Sequence, residues 1–90
     1  LRSRLDAAQD GELEMHKPLL DLLRAMDHPG VMLHLMQQLT FRGLERFVLE
    51  VVAPVTVAVG GAWACGKLEP REEHLYSECI QQVLRASVLG

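Results

Sequence analysis

Three side chains that could take part in ligand chemistry lie in one twelve-residue stretch: Trp63, Glu73 and His74. A neutral imidazole is a good ligand for a borderline metal, and it can be free in one state and coordinated in another. An indole ring offers a flat apolar surface on which a nucleoside can stack. A carboxylate accepts hydrogen bonds. His74 is therefore a candidate metal or cofactor ligand, with Trp63 and Glu73 as its neighbours.

Each of these residues also has an ordinary structural explanation. His74 could be a surface histidine on the polar face of a helix. Glu73 could serve only to balance the positive end of the helix dipole. Trp63 could fill the core, where its N–H would need a partner or water. Residue type alone leaves both interpretations open.

Other kinds of site find little support in the sequence. The remaining histidines lack the i, i+4 spacing of zinc-binding helices: His16, His28 and His34. The two cysteines share no CxxC motif and are predicted to be free thiols: Cys65 and Cys79. No phosphate-binding loop, Ser-His-Asp set or carboxylate pair suited to hydrolysis is present. We therefore expect no catalytic residues and no enzymatic activity.

Length and composition indicate one small aliphatic domain. The chain has 90 residues, of which 49% are hydrophobic and 4% aromatic. The net charge is −3 and the basic residues are scattered, so this segment lacks the footprint of a nucleic-acid-binding surface. The longest apolar run, Val51 to Cys65, contains Pro54 and is shorter than a membrane span. We expect no membrane segment and a cytoplasmic location.

The apolar periodicity predicts four helices with short links: Pro18–Met26, Val31–Phe41, Leu44–Trp63 and Pro70–Ser87. Residues 1–17 are interpreted as a linker or frayed lead-in and residues 18–90 as the bundle. Pro54 is expected to kink the third helix rather than end it. A strand through the alternating valines is the rival interpretation, but no second segment could pair with it. The predicted fold class is all-α, an antiparallel four-helix bundle.

Apolar stripes identify the expected core. The second helix contributes Val31, Leu33, Leu35, Met36 and Leu39. The third contributes Leu44, Phe47, Val48, Val51, Val55, Ala58 and Ala62, with Val52, Val59 and Trp63 on the shoulder of the stripe. The fourth contributes Leu75, Tyr76, Cys79, Ile80 and Val83, which places His74 on the opposite side of that helix. The excess of apolar residues in the third helix predicts contact with another domain or a second copy, and hence self-association.

The candidate residues also carry a family resemblance. The run Val59-Gly60-Gly61-Ala62-Trp63, followed by Gly66-Lys67-Leu68 and then Glu73-His74, resembles the helical bundle of cobalamin-binding transcriptional regulators. These are light sensors of the CarH/LitR type, usually with a MerR-like DNA-binding domain in front. Their signature is a Trp, nine intervening residues and Glu-His, and here residues 64–72 separate Trp63 from Glu73. The resemblance extends from about Pro18 to Leu84.

The resemblance implies a role for each candidate residue. Trp63 would pack against the adenosyl group on the upper face of adenosylcobalamin, and Glu73 would hydrogen-bond that group. His74 would coordinate cobalt as an upper ligand once light has removed the adenosyl group. Val59 would belong to the same cofactor-binding set. The whole would be a sensory cap, with DNA bound only through a separate N-terminal domain.

Part of the family pattern is not found in these 90 residues. The family's second half is a Rossmann-like domain that carries a lower-ligand histidine in a DxHxxG motif, and neither is present here. We therefore expect the chain to be a fragment of a longer regulator, with weak cofactor binding on its own.

Two other functions remain open. One is the cap of a corrinoid methyltransferase module, which usually has a Leu-Pro pair where this chain has Glu73-His74. The other is a dimerisation bundle without a cofactor.

Overall fold

The computed structural model describes residues 16–89, which contain four helices and no strand. The helices are α1 (Lys17–Arg24), α2 (His28–Arg42), α3 (Leu44–Ala64) and α4 (Pro70–Leu89). Helix α2 packs against α1 and α4, and α3 packs against α4. The predicted all-α class and the number of helices are confirmed over these residues. The predicted lead-in lies mostly outside the described range, and Lys17 already belongs to α1.

A tight junction joins α1 to α2. Met26 adopts a positive φ of 54°, and the N–H of Asp27 donates to the Leu22 carbonyl at 3.0 Å. The Asp27 carboxylate then caps α2 by accepting the N–H of Gly30 at 3.0 Å. Because Pro29 fits the first turn of a helix, α2 begins at His28, three residues before the predicted start.

Helix α3 continues through its proline. Residues Val48–Val52 form a π-turn, in which the N–H of Ala53 donates to the Val48 carbonyl. The next segment, Ala53–Ala64, carries Pro54 in its first turn, where a missing N–H is tolerated. The wider turn thus lets the chain pass the proline without ending the helix. The prediction that Pro54 lies inside the third helix is confirmed.

The core is smaller than the predicted stripes. Its fully buried members include Leu23, Val31, Leu35, Phe47 and Val83, each 0% exposed. The predicted face of α4 is buried throughout. Four residues assigned to the core are exposed instead: Leu33, Met36, Leu44 and Val48. In α2 only Val31 and Leu35 are buried, with Met32 and Leu39 partly buried against the core. In α3 the π-turn changes the angular phase of the residues before it.

Helix α3 has 21 residues and, by length and composition alone, could cross a membrane. This helix is longer than the apolar run Val51 to Cys65, whose length led us to expect no membrane segment. Core helices of soluble proteins meet the same criterion, and α3 buries Phe47, Val51, Val55 and Val59 against the rest of the domain. Its apolar character is therefore accounted for in part by the core.

Candidate functional site

The end of α3 presents Trp63 at the surface. The N–H of Gly66 donates to the Trp63 carbonyl at 3.1 Å, and that of Lys67 donates to the Ala62 carbonyl at 2.7 Å. Gly66 has a φ of 77°, so these bonds form a Schellman C-cap, which favours glycine at the left-handed position. Leu68 is buried and anchors the link to the core. The Trp63 residue remains 50% exposed, which argues against a purely core-filling role.

The Glu72 side chain caps the start of α4, as in one half of a capping box. The backbone N–H of Glu69 donates to Glu72 Oε1 at 3.0 Å, and Glu72 is 6% exposed. A glutamate three residues after the N-cap is the usual partner in this motif. Glu72 therefore holds the helix start in place, a role that the sequence argument missed although the spacing Glu69-Pro70-Arg71-Glu72 signals it.

Glu73 and His74 lie on the first turns of α4 with different exposures. Ser77 Oγ donates to Glu73 Oε1 at 2.9 Å, and His74 Nε2 lies 3.8 Å from Glu73 Oε2. The His74 side chain is 79% exposed and that of Glu73 is 30% exposed. The predicted orientation of His74 away from the core is confirmed. Glu73 has one oxygen held by Ser77, and His74 is accessible to a ligand.

Val59 is placed differently from the other candidates. Its side chain is 2% exposed and belongs to the hydrophobic core. Val59 therefore offers no exposed surface to a ligand in this structure, and its role in cofactor binding stays a prediction. Val59 helps to hold the segment of α3 that carries Trp63 against the core.

A pair of hydroxyl groups connects α3 to α4 away from the link. Thr56 Oγ1 and Tyr76 Oη lie 2.9 Å apart. Burial raises the pKa of Tyr76, and the hydrogen bond with Thr56 opposes that shift. The apolar stripe of α4 predicts that Tyr76 lies in the core, but no sequence pattern indicates the partner of its hydroxyl group.

No group of three or more His, Cys, Asp or Glu side chains within the described residues could hold a metal ion. The thiols are free, with Cys65 exposed and Cys79 buried. A metal bound at His74 would thus need its other ligands from elsewhere, as in a metal that is already held by a macrocycle.

A separate polar cavity of about 250 Å³ lies beside α1, α2 and α3. Its walls include His16, His34, Gln38, Arg42 and Glu50. Burial, and then the nearby His16, lower the pKa of His34. Hydrogen bonding from the neighbouring arginines helps to lower the pKa of Glu50. This cavity is a second polar feature, distinct from the candidate residues at the α3–α4 link.

A family model described as the B12 binding domain matches residues 15–86. The chain belongs to the B12-binding domain family. The match supports a cobalamin-binding helical cap and spans the region over which the resemblance was drawn. No curated protein and no solved structure matches this chain.

Proposed function

We propose that the chain is the sensory cap of a cobalamin-dependent transcriptional regulator and that it covers the upper face of adenosylcobalamin. The observation that carries the proposal is the exposure of Trp63 at the end of α3 together with that of His74 on the first turns of α4. Membership of the B12-binding domain family supports cobalamin as the ligand class.

The exposed residues fit this cofactor. Trp63 offers an aromatic surface for the adenosyl group, and Gly60 leaves open space beside it on the same helix. Glu73, oriented by Ser77, is the acceptor for a hydrogen bond from that group. His74 offers an imidazole nitrogen to a metal whose other positions are filled. When bound, adenosylcobalamin supplies a light-sensitive cobalt–carbon bond.

The proposal extends to the protein that contains the cap. We propose an antiparallel four-helix bundle followed by a Rossmann-like domain and preceded by a MerR-type DNA-binding domain, in a cytoplasmic homo-oligomer without enzymatic activity. The partly exposed Glu73 and the exposed His74 favour a sensor over a methyltransferase cap, because shielding a methyl group calls for aliphatic side chains at this surface.

The exposed imidazole supplies the test. In the intact protein that carries this chain, His74→Ala should bind adenosylcobalamin in the dark as the wild type does. After illumination, the wild type should show the absorbance of an imidazole-ligated cobalamin and His74→Ala should not. His28→Ala, at the start of α2, is the matched control and should behave as the wild type. Identical spectra of His74→Ala and the wild type after illumination would show that His74 is not the ligand.

A further inference from the structure

The hydroxyl pair of Thr56 and Tyr76 lies on the same helix pair as Trp63 and Glu73. Thr56 is exposed, whereas Tyr76 is 3% exposed. Two hydroxyl groups carry two hydrogens, and the bond between them uses one. Whichever hydroxyl donates, the oxygen of the exposed Thr56 keeps an acceptor lone pair at the surface of the domain.

Residues Thr56, Gly60 and Trp63 follow one face of α3, because spacings of four and three return to the same side of a helix. Gly60 is exposed, and a Cβ atom built on it would meet nothing within 4 Å. An open strip therefore runs from the indole ring to the Thr56 hydroxyl. Seven residues of α-helix give it a length of about 10 Å.

The face of α4 that contacts α3 through Tyr76 also carries polar groups. Glu73, Tyr76 and Ser77 have the i, i+3 and i+4 spacing of neighbours on one side of a helix. The contact between Thr56 and Tyr76 fixes this face against α3. The strip thus has the indole ring of Trp63 at one end, no side chain at Gly60 and the Thr56 hydroxyl group at the other end.

We propose that Thr56, positioned by its hydrogen bond with the buried Tyr76, is the far end of the ligand surface and hydrogen-bonds the polar groups of a nucleoside-sized substituent that rests on Trp63. The inference rests on the proposed function and names two further residues of the same site. A nucleoside-sized substituent would extend along this strip, whereas a methyl substituent would leave most of it uncovered. Thr56, held in place by Tyr76, would therefore determine which upper substituent is recognised.

The test compares two cobalamins in the intact protein, in the dark. Dissociation constants for adenosylcobalamin and methylcobalamin are measured by calorimetry. Thr56→Val should weaken adenosylcobalamin binding roughly three- to tenfold, as expected for the loss of one hydrogen bond. Methylcobalamin binding should not change. Gly60→Leu, which fills the strip, should produce the same selective loss.

Two controls separate a site from a structural effect. Thr40→Val, at an exposed position on α2, should leave both affinities unchanged. A melting temperature measured for each variant identifies any loss of folding. If Thr56→Val and Gly60→Leu bind adenosylcobalamin as the wild type does, or lose affinity for both cobalamins equally, the pair is not part of the site. If the wild type binds neither cobalamin, the proposed function itself fails, and this inference with it.

Discussion

Ser77 donates its hydroxyl hydrogen to Glu73, with 2.9 Å between Oγ and Oε1. The two residues are one helical turn apart on α4, so the bond needs no other element to form. It orients a carboxylate that is 30% exposed and leaves Oε2 facing the side of His74, 3.8 Å from its Nε2. The pair therefore sets the direction in which Glu73 can accept a hydrogen bond from a ligand.

Replacing Ser77 with Ala tests this positioning role. The variant should bind adenosylcobalamin roughly three- to tenfold more weakly, because Glu73 loses the hydrogen bond that orients it. Ser87→Ala is the matched control, since Ser87 donates only to the Val83 carbonyl of its own helix. Calorimetric titration of the intact protein measures both. Equal affinities for Ser77→Ala and Ser87→Ala would contradict the role given to Ser77.

Two glycines in helices should respond in opposite ways to alanine. A Cβ atom at Gly30 would lie 2.3 Å from Asp27 Oδ2 and 2.8 Å from Leu22 Cδ2. Gly30→Ala should therefore disturb the cap of α2 and lower the free energy of unfolding by about 1–2 kcal/mol. Gly60 has open space, so Gly60→Ala should raise it by about 0.5–1 kcal/mol.

Urea unfolding followed by circular dichroism measures both changes. An equal increase in the free energy of unfolding for Gly30→Ala and Gly60→Ala would show that Asp27 and Leu22 do not restrict the space around Gly30. The comparison also tests the Asp27 cap, because Gly30 lies beside that cap and Gly60 lies inside α3.

The sequence predicted the helices better than their faces. The start of α3 and the start of α4 were placed at the observed residues, because Gly43 and Pro70 give strong local signals. The outward direction of Leu44 was missed because the π-turn at Val48–Val52 has no sequence signature of its own. The exposure of Leu33 was missed because only Val31 and Leu35 of α2 are buried, and the apolar pattern does not indicate how narrow the buried face is.

The candidate site was predictable in part for similar reasons. Trp63 and His74 could be placed near a helix end and on a polar face from local signals alone. Ser77 and Glu72 act through hydrogen bonds within one turn, which spacing could have suggested. The Thr56–Tyr76 contact joins two helices, and its register depends on packing that no local pattern specifies. For the same reason the burial of Val59 did not follow from its position on the shoulder of a stripe.

Met26 is a site where glycine should stabilise the protein. It adopts a φ of 54°, a left-handed conformation that costs a residue with a side chain about 1–2 kcal/mol. After the entropic cost of glycine in the unfolded chain, Met26→Gly should raise the melting temperature by about 2–6 °C. Met36→Gly, within α2, should lower it because glycine is a poor helix former. A melting temperature of Met26→Gly below that of the wild type would contradict this account.

The lowered pKa of His34 predicts a loss of stability in acid. Burial and the nearby His16 lower it from 6.5, so the unfolded chain binds a proton at a higher pH than the folded protein does. The free energy of unfolding should therefore decrease as pH falls below about 6.5, until His34 also becomes protonated in the folded state. His34→Gln should reduce this decrease. The exposed His74→Gln is the control.

Urea midpoints between pH 8 and pH 5 measure the effect of His34. The pH dependence of His74→Gln should follow that of the wild type. A His34→Gln variant whose midpoint falls as steeply as that of the wild type would show that His34 does not contribute to the acid sensitivity.

The central claim is that Trp63, Glu73 and His74 form part of a cobalamin site, and dark binding of adenosylcobalamin tests it most directly. The intact protein that carries this chain is mixed with adenosylcobalamin, separated from free cofactor by gel filtration, and examined by visible absorbance. The account predicts that cobalamin elutes with the wild type and that Trp63→Ala retains clearly less at the same concentration. A correctly folded wild type that elutes without cobalamin would contradict it.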